Sequence, residues 1–333
     1  MENKKIHLVK AAFHTQFKIG MESCGISADH YFGTVGLPTQ VSDPESLLPL
    51  IPFYQLANIV AISENIPDFG SRVAQLTPWH KISSLGPLIR NSTDLKNLLE
   101  TFCQVASSQS SPVLFKLKDE GSRFSFCYTN TLFFKGDIQL EMYRITGMIQ
   151  LVQLATGSQW RPKTIQLIMP RSEVGKKCPL LTKSRVTFSQ PVSGIAIQAD
   201  LLQLPVHMDI PASVKITNNK QADFYTNFSD AIRQIINSYS LTTKISINDI
   251  SRATNTSVRN LQRQLKDKGL KFSDLLNQAK LTHAKQELRD TKMSIKEISE
   301  SLGYSNPANF TRAFRHWTGF SPSKFRKGLT EIS

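Results

Sequence analysis

Residues 294–326 read SIKEISESLGYSNPANFTRAFRHWTGFSPSKFR. Phe310, Phe314 and Trp317 recur at helical spacing, and Arg312 and Arg315 fall on another face. An ordinary surface helix would account for the aromatic stripe. It does not account for an echo upstream, where residues 246–269 read SINDISRATNTSVRNLQRQLKDKG. Ile247, Asp249, Ile250 and Ser251 correspond to Ile295, Glu297, Ile298 and Ser299. With one extra residue in the second copy, Leu261, Arg263 and Leu265 correspond to Phe310, Arg312 and Phe314. Each copy reads as a short helix with Ile at i and i+3, a turn of about four residues, and a second helix that buries one stripe.

That pattern is a helix-turn-helix, in which the first helix braces and the second enters the major groove of DNA. The expected braces are Ile247, Ile250 and Ala253 in the first copy and Ile295, Ile298 and Leu302 in the second. The second helices are expected to anchor through Val258, Leu261 and Leu265, and through Phe310, Phe314 and Trp317. Gly303 suits the left-handed residue that ends a helix, Asn306 suits a cap, and Pro307 suits a first turn. The outward face offers Arg259, Asn260, Gln262, Arg263 and Lys266 in one copy. In the other it offers Pro307, Ala308, Thr311, Arg312 and Arg315. Arg pairs with guanine, Asn and Gln with adenine, and Thr or Ala touches the thymine methyl. Residues near the helix start are therefore assigned to bases or groove, Asn306 among them. Lys266, Lys292 and Arg315 are assigned to phosphates. The segment between the copies, helical from 272 to about 289, spans roughly 27 Å at 1.5 Å per residue, enough to set two second helices about one duplex turn apart.

The whole chain agrees with a polyanionic partner. Its 333 residues favour two domains, and its formal net charge is +14. From residue 221 onward there are 18 Lys and Arg against 10 Asp and Glu, so the basic excess coincides with the repeat. Cys24, Cys103, Cys127 and Cys178 lie far apart, without the paired spacing of a zinc site. The segment 46–63, SLLPLIPFYQLANIVAIS, is broken by Pro49 and Pro52 and reads as a buried helix, not a membrane span. The first twenty residues lack the apolar run of a signal peptide, so a cytoplasmic location is expected. No Walker loop, GxGxxG, HExxH or GxSxG occurs and the histidines are isolated, so neither an enzyme nor a cofactor is expected.

Upstream of the repeat the pattern changes twice. Segments 6–24, 27–35, 52–64 and 93–106 show apolar residues three or four apart and read as helices. After SSQSSP at 107–112 the period becomes two: VLFKLKD from Val113 and RFSFCYT from Arg123 flank a turn at Glu120 and Gly121, a hairpin. An amphipathic helix over 138–157 follows, then short strands in TIQLIMP, RVTFSQP and GIAIQAD. The expected fold is an α+β N-terminal sensory domain, a helical segment plus a small mixed sheet, followed by an all-α DNA-binding domain. Its boundaries are 1–210 (1–107 mainly helical, 108–205 mixed), a linker over 211–222, and 223–333 with two helix-turn-helix motifs joined by a long helix.

These residues resemble the AraC/XylS-type transcription regulators. The resemblance rests on SxRxLQRxLKxxG at 257–269, FxxLLxxxxLxxAKxxL at 272–288 and SIxEIxxxLGYSxPxxFxRAFxxWTGxSPxxFR at 294–326. Ser251 and Ser299 stand where the family has Ala, and Phe325 where it has Tyr. By that pattern the base-reading positions fall on Arg259, Gln262 and Arg263, and on Pro307, Ala308, Thr311 and Arg312. The N-terminal part is similar to the family's arabinose-operon-regulator-like effector domain rather than its cupin barrel. GISADHYFGTVGLP at 25–38, LGPLIRNSTDLKNLLETF at 85–102, WRP at 160–162 and VTFSQPVSGIAIQADLLQLPV at 186–206 carry that similarity. The resemblance implies a transcription activator with double-stranded promoter DNA and RNA polymerase as partners, a small-molecule effector, and a homodimer contact through the N-terminal domain. Two alternatives stay open: a ligand-free regulator controlled by abundance or by a protein partner, and a cysteine-based alkyl-acceptor enzyme. Trp160, Phe133, Phe134 and Tyr143 could line an effector pocket, but aromatics are more often plain core, and no ligand residue is assigned.

Overall fold

The computed structural model describes residues 6–41, 43–130, 132, 138–173, 181–207, 227–239 and 245–330. They form two compact units, one made of 7–39 and 43–207, the other built on 227–330. The expected linker, Cys178, Phe133 and Phe134 lie outside the described residues.

The N-terminal unit begins β1 (Leu8–Lys10), α1 (Ala12–Ser23), α2 (Ala28–Val35), β2 (Leu47–Pro49) and α3 (Ile51–Ser63). The single helix expected over 6–24 thus starts as a strand: β1 pairs antiparallel with β2, Leu8 opposite Pro49. Leu8, Val9 and Lys10 are all buried, so both faces of this stretch are covered and no helical stripe remains to be satisfied. The unit continues with α4 (Phe69–Leu76), α5 (Gly86–Ile89) and α6 (Leu95–Ala106), which Asp94 caps by accepting from the Asn97 amide. Helix α4 lacked a clear sequence signal. It lies so close to the next long helix that a Cβ on Gly70 would stand 1.8 Å from the Gln139 carbonyl.

The hairpin is β3 (Val113–Asp119) and β4 (Arg123–Asn130), with Gly121 at φ +82 in its turn. After α7 (Ile138–Thr156) come β5 (Thr164–Gln166), β6 (Arg185–Thr187) and β7 (Ser193–Gln198). The sheet order is β3-β4-β7-β5-β6, with β5 and β6 parallel and the other pairs antiparallel, so the mixed sheet is present.

Helix α7 is not amphipathic as its pattern suggested. It packs against α3, α4, α6 and β7, and 139–149 are buried on every face. Its Glu141 and Arg144 side chains are met internally. Tyr128 Oη donates to Glu141 Oε2 at 2.5 Å, the Ser193 hydroxyl donates to the other carboxylate oxygen, and Arg144 Nη2 donates to Tyr54 Oη at 2.6 Å.

The C-terminal unit is helical throughout its described residues: α8 (Phe228–Ser238), α9 (Ile247–Ala253), α10 (Val258–Lys266), α11 (Phe272–Asp290), α12 (Ile295–Ser301), α13 (Pro307–Thr318) and α14 (Pro322–Thr330). Helix α8 packs on α9, α10 and α11, while α12, α13 and α14 gather at the other end of α11. Among the described residues no helix is long and apolar enough to cross a membrane.

Candidate nucleic-acid interface

The two brace helices begin alike. Ser246 and Asp249 form a capping box on α9, and Ser294 and Glu297 form one on α12. In each, the serine hydroxyl accepts an orphan amide while the carboxylate accepts the serine's own N–H. Burial raises the Asp249 pKa, but hydrogen bonds from Ser246 and the Arg252 guanidinium outweigh it and hold the carboxyl below its usual value. Glu297 is held low by its bonds from Ser294. Both boxes stand in the sequence as S-x-x-D and S-x-x-E.

The braces also end alike. The Thr256 amide returns to the Ser251 carbonyl at 3.0 Å and the Tyr304 amide to that of Ser299 at 2.9 Å, the long bond of a Schellman turn. Such a turn needs a left-handed residue, and Gly303 takes it at φ +72 as expected, while Asn255 takes it in the first copy at φ +49. Asn is the side chain best able to stand in for glycine there.

Each second helix then starts from its own cap. The Ser257 hydroxyl accepts from the Asn260 amide, and Asn306 Oδ1 accepts from the Ala308 amide at 2.7 Å with Pro307 following. Leu261 and Leu265 of α10, and Phe310 and Phe314 of α13, are fully buried. Val258 and Trp317 are only half-buried, as are Ile247 and Ile295, because they lie at the margins of their stripes; Ile250, Ala253, Ile298 and Leu302 carry the brace cores.

What remains on the outside is cationic. Arg259, Gln262, Arg263 and Lys266 are exposed on α10 and Asn260 is half-exposed. On α13, Ala308, Arg312 and Arg315 are exposed and Pro307 and Thr311 are half-exposed; Asn306 is exposed at the cap, and Lys292 is exposed just before α12. Asn260 Oδ1 accepts from Arg263 Nη2 at 2.7 Å, and Asn309 Oδ1 accepts from Arg312 Nη2 at 3.0 Å. Helices α10 and α13 thus display the same Asn–Arg pair, one turn long, in the same register. The amide steadies a guanidinium that carries five N–H donors in a fixed fork. Asn309 escaped the sequence reading, although it precedes Phe310 as Asn260 precedes Leu261.

The family model for the arabinose-binding domain of the AraC transcription regulator matches residues 25–206, and a helix-turn-helix domain model matches residues 250–328. The first covers more than half of the chain. The chain belongs to the AraC family of transcription regulators. It is 28% identical over 149 residues to the ornithine utilization regulator of Pseudomonas aeruginosa, covering 42% of this chain and 43% of that protein. It is 21% identical over 292 residues to the transcriptional regulator VirS of Mycobacterium tuberculosis, covering 85% of each. The crystal structure of the transcriptional regulator CdpR from Pseudomonas aeruginosa aligns with 95% of this chain and 98% of its own at 15% identity and a TM-score of 0.41. The chain spans under half the length of the first curated relatives it matches.

Other contacts fix the frame of this AraC-family DNA-binding unit. Arg326 of α14 donates to the Leu288 carbonyl at 3.2 Å and the Met293 carbonyl at 2.6 Å, tying the end of α11 and the turn after it to the last helix. The Ser301 hydroxyl donates to Glu287 at 2.8 Å, and the Lys280 ammonium lies 4.4 Å from the centre of the Tyr304 ring. In the N-terminal unit burial pushes the Cys103 thiol up to about 12 and raises Cys127 as well, so both stay protonated and weakly nucleophilic at neutral pH. His14 is a core histidine: its ring stacks on Phe32 at 4.0 Å, meets the Pro38 carbonyl at 2.7 Å, and is held by burial at a pKa of about 4.

Proposed function

We propose that this protein is a sequence-specific, DNA-binding transcription activator whose N-terminal unit senses a small-molecule effector. The observation that carries the DNA reading is the repeated Asn–Arg pair on the exposed faces of α10 and α13, each helix seated on a buried apolar stripe. In this reading both helices enter successive major grooves. Arg259, Asn260, Gln262 and Arg263 from one, and Pro307, Ala308, Asn309, Thr311 and Arg312 from the other, face bases or groove. Asn306 keeps its Oδ1 on the helix cap and offers its amide N–H to the groove edge. Lys266, Lys292 and Arg315 meet phosphates. Residues 1–210 form the regulatory part, 211–222 the linker and 223–333 the DNA-binding part. The protein works in the cytoplasm, contacts RNA polymerase at the promoter and dimerises through its N-terminal part.

Two features support the sensor role: the match to a ligand-binding domain model and a small cavity in the same unit. Selection of bound sequences from random duplex DNA at fixed salt tests the DNA reading. Enrichment of two half-sites about one helical turn apart, 10 to 10.5 base pairs, is expected. Retention of DNA with no enriched sequence refutes a specific regulator.

A further inference from the structure

A cavity of about 90 Å³ lies in the N-terminal unit where α1, α6 and α7 meet β3. Trp79, Phe102, Phe115 and Tyr143 supply much of its wall, and the wall is predominantly apolar. Trp79 stacks on Phe102 with centroids 5.1 Å apart, and Phe102 meets Phe115 edge-on at 5.0 Å, so these rings hold one another in place.

Polar groups interrupt this wall, and two of them bear directly on a ligand. Gln16 is 4% exposed; its Oε1 accepts from the Tyr143 hydroxyl, yet its Nε2 has no hydrogen-bond partner among the described residues. The Ser110 hydroxyl also lines the cavity and is likewise unpartnered among them. A buried donor without an acceptor costs free energy, and a native interior tolerates it where something else supplies the acceptor. The cations at the wall do not ask for a charged ligand. Lys10 is paired with Glu45 at 2.9 Å, and Arg144 donates to Tyr54 beside the Glu141 carboxylate.

Size narrows the ligand further. A space of this size suits a compact body better than an extended one. A polyhydroxylated sugar would bury several hydroxyls against aromatic rings. We infer that this cavity is a binding site for a compact, uncharged, mainly apolar molecule bearing one carbonyl-type acceptor, with Gln16 Nε2 donating to that acceptor and Ser110 Oγ completing the polar end. The assignment rests on the sensor reading above and names the ligand class that reading leaves open.

Cyclopentanone, cyclopentane and arabinose, titrated by calorimetry into the full chain, test it. Cyclopentanone is expected to bind with a dissociation constant of about 0.1–1 mM, in the range open to so few atoms. It is expected to bind about tenfold or more tighter than cyclopentane, the value of one hydrogen bond to a buried donor. In Gln16→Met, checked for an intact melting transition, that preference falls to about one. Ala106→Leu, which fills the cavity from α6, loses both ligands; Ala106 is buried and lines the space. Absence of cyclopentanone binding, equal binding of cyclopentane, a preference that survives Gln16→Met, or tighter binding of arabinose overturns the assignment. Operator affinity, read in parallel by mobility shift, separates the two claims. Cyclopentanone that binds without changing it removes the effector role and leaves the cavity assignment standing.

Discussion

Arg263 and Lys266 sit one turn apart on α10, both exposed, both cationic, and both removable without touching the core. Their replacement by Ala should nevertheless give different results. Arg263 lies beside Asn260 with its guanidinium fork directed by a 2.7 Å hydrogen bond, the arrangement suited to a guanine edge. Arg263→Ala is expected to cost about 1–3 kcal/mol against the selected operator, roughly a 5- to 150-fold loss, and to leave affinity for unrelated duplex nearly unchanged. Lys266, in the last turn, is assigned to phosphate. Lys266→Ala should weaken operator and unrelated DNA together and reduce the slope of log affinity against log salt by about 0.9. Mobility shifts on both DNAs between about 50 and 200 mM salt, the range over which phosphate contacts are read, give all four quantities. Unfolding by urea should report each variant within about 0.5 kcal/mol of the parent. Identical profiles for the two variants, or loss of specificity from Lys266→Ala instead, would refute the division of the exposed face into base-reading and phosphate-binding ends.

Three further outcomes follow from local geometry. Phe314 is fully buried between Phe310 and Phe325, so Phe314→Ala should destabilise the C-terminal unit by about 3–5 kcal/mol, read as an earlier helical melt by circular dichroism. Gly303→Ala puts a Cβ on a residue at φ +72 and should cost about 1 kcal/mol, whereas Asn255→Gly at φ +49 should be neutral or slightly stabilising; equal effects at the two sites would contradict their shared turn. His14 has a folded-state pKa of about 4 against 6.5 for the free group, so between these values the unfolded chain binds a proton that the native chain excludes. Stability present above pH 6.5 is therefore lost as pH falls, by about 2 kcal/mol between pH 7 and 4.5, and His14→Gln should remove that part of the acid sensitivity in urea melts. An unchanged pH dependence in the variant would show that other groups carry it.

Much of the C-terminal unit was legible because its determinants are local. A helix cap, a left-handed turn residue and a 3.6-residue stripe all act within a few positions, so Asn306, Gly303 and the Leu261, Leu265, Phe310 and Phe314 spacing are read directly from the chain. Duplication added a second reading of the same pattern. Asn309 shows where the reading stopped: its role depends on which side chain Arg312 bonds, and only the folded helix shows that. Val258 and Trp317 were assigned to the buried stripe on spacing alone, which cannot say where the neighbouring helices leave the margin uncovered.

In the N-terminal half the sequence determined the change of period at the hairpin, the strands of the mixed sheet and most of the long helices. Tertiary structure decided the rest. Residues 8–10 became a strand because β2, residues 47–49, lies beside them in register. Helix α7 took polar residues into the interior because Tyr54, Tyr128 and Ser193 arrive from distant segments to meet Arg144 and Glu141. The cavity is likewise a product of α1, α6, α7 and β3 meeting, and Gln16 is informative only there, since a donor is known to lack a partner once all its neighbours are in place. Local chemistry thus set the exposed cationic faces of α10 and α13, and long-range packing set the cavity of the N-terminal unit.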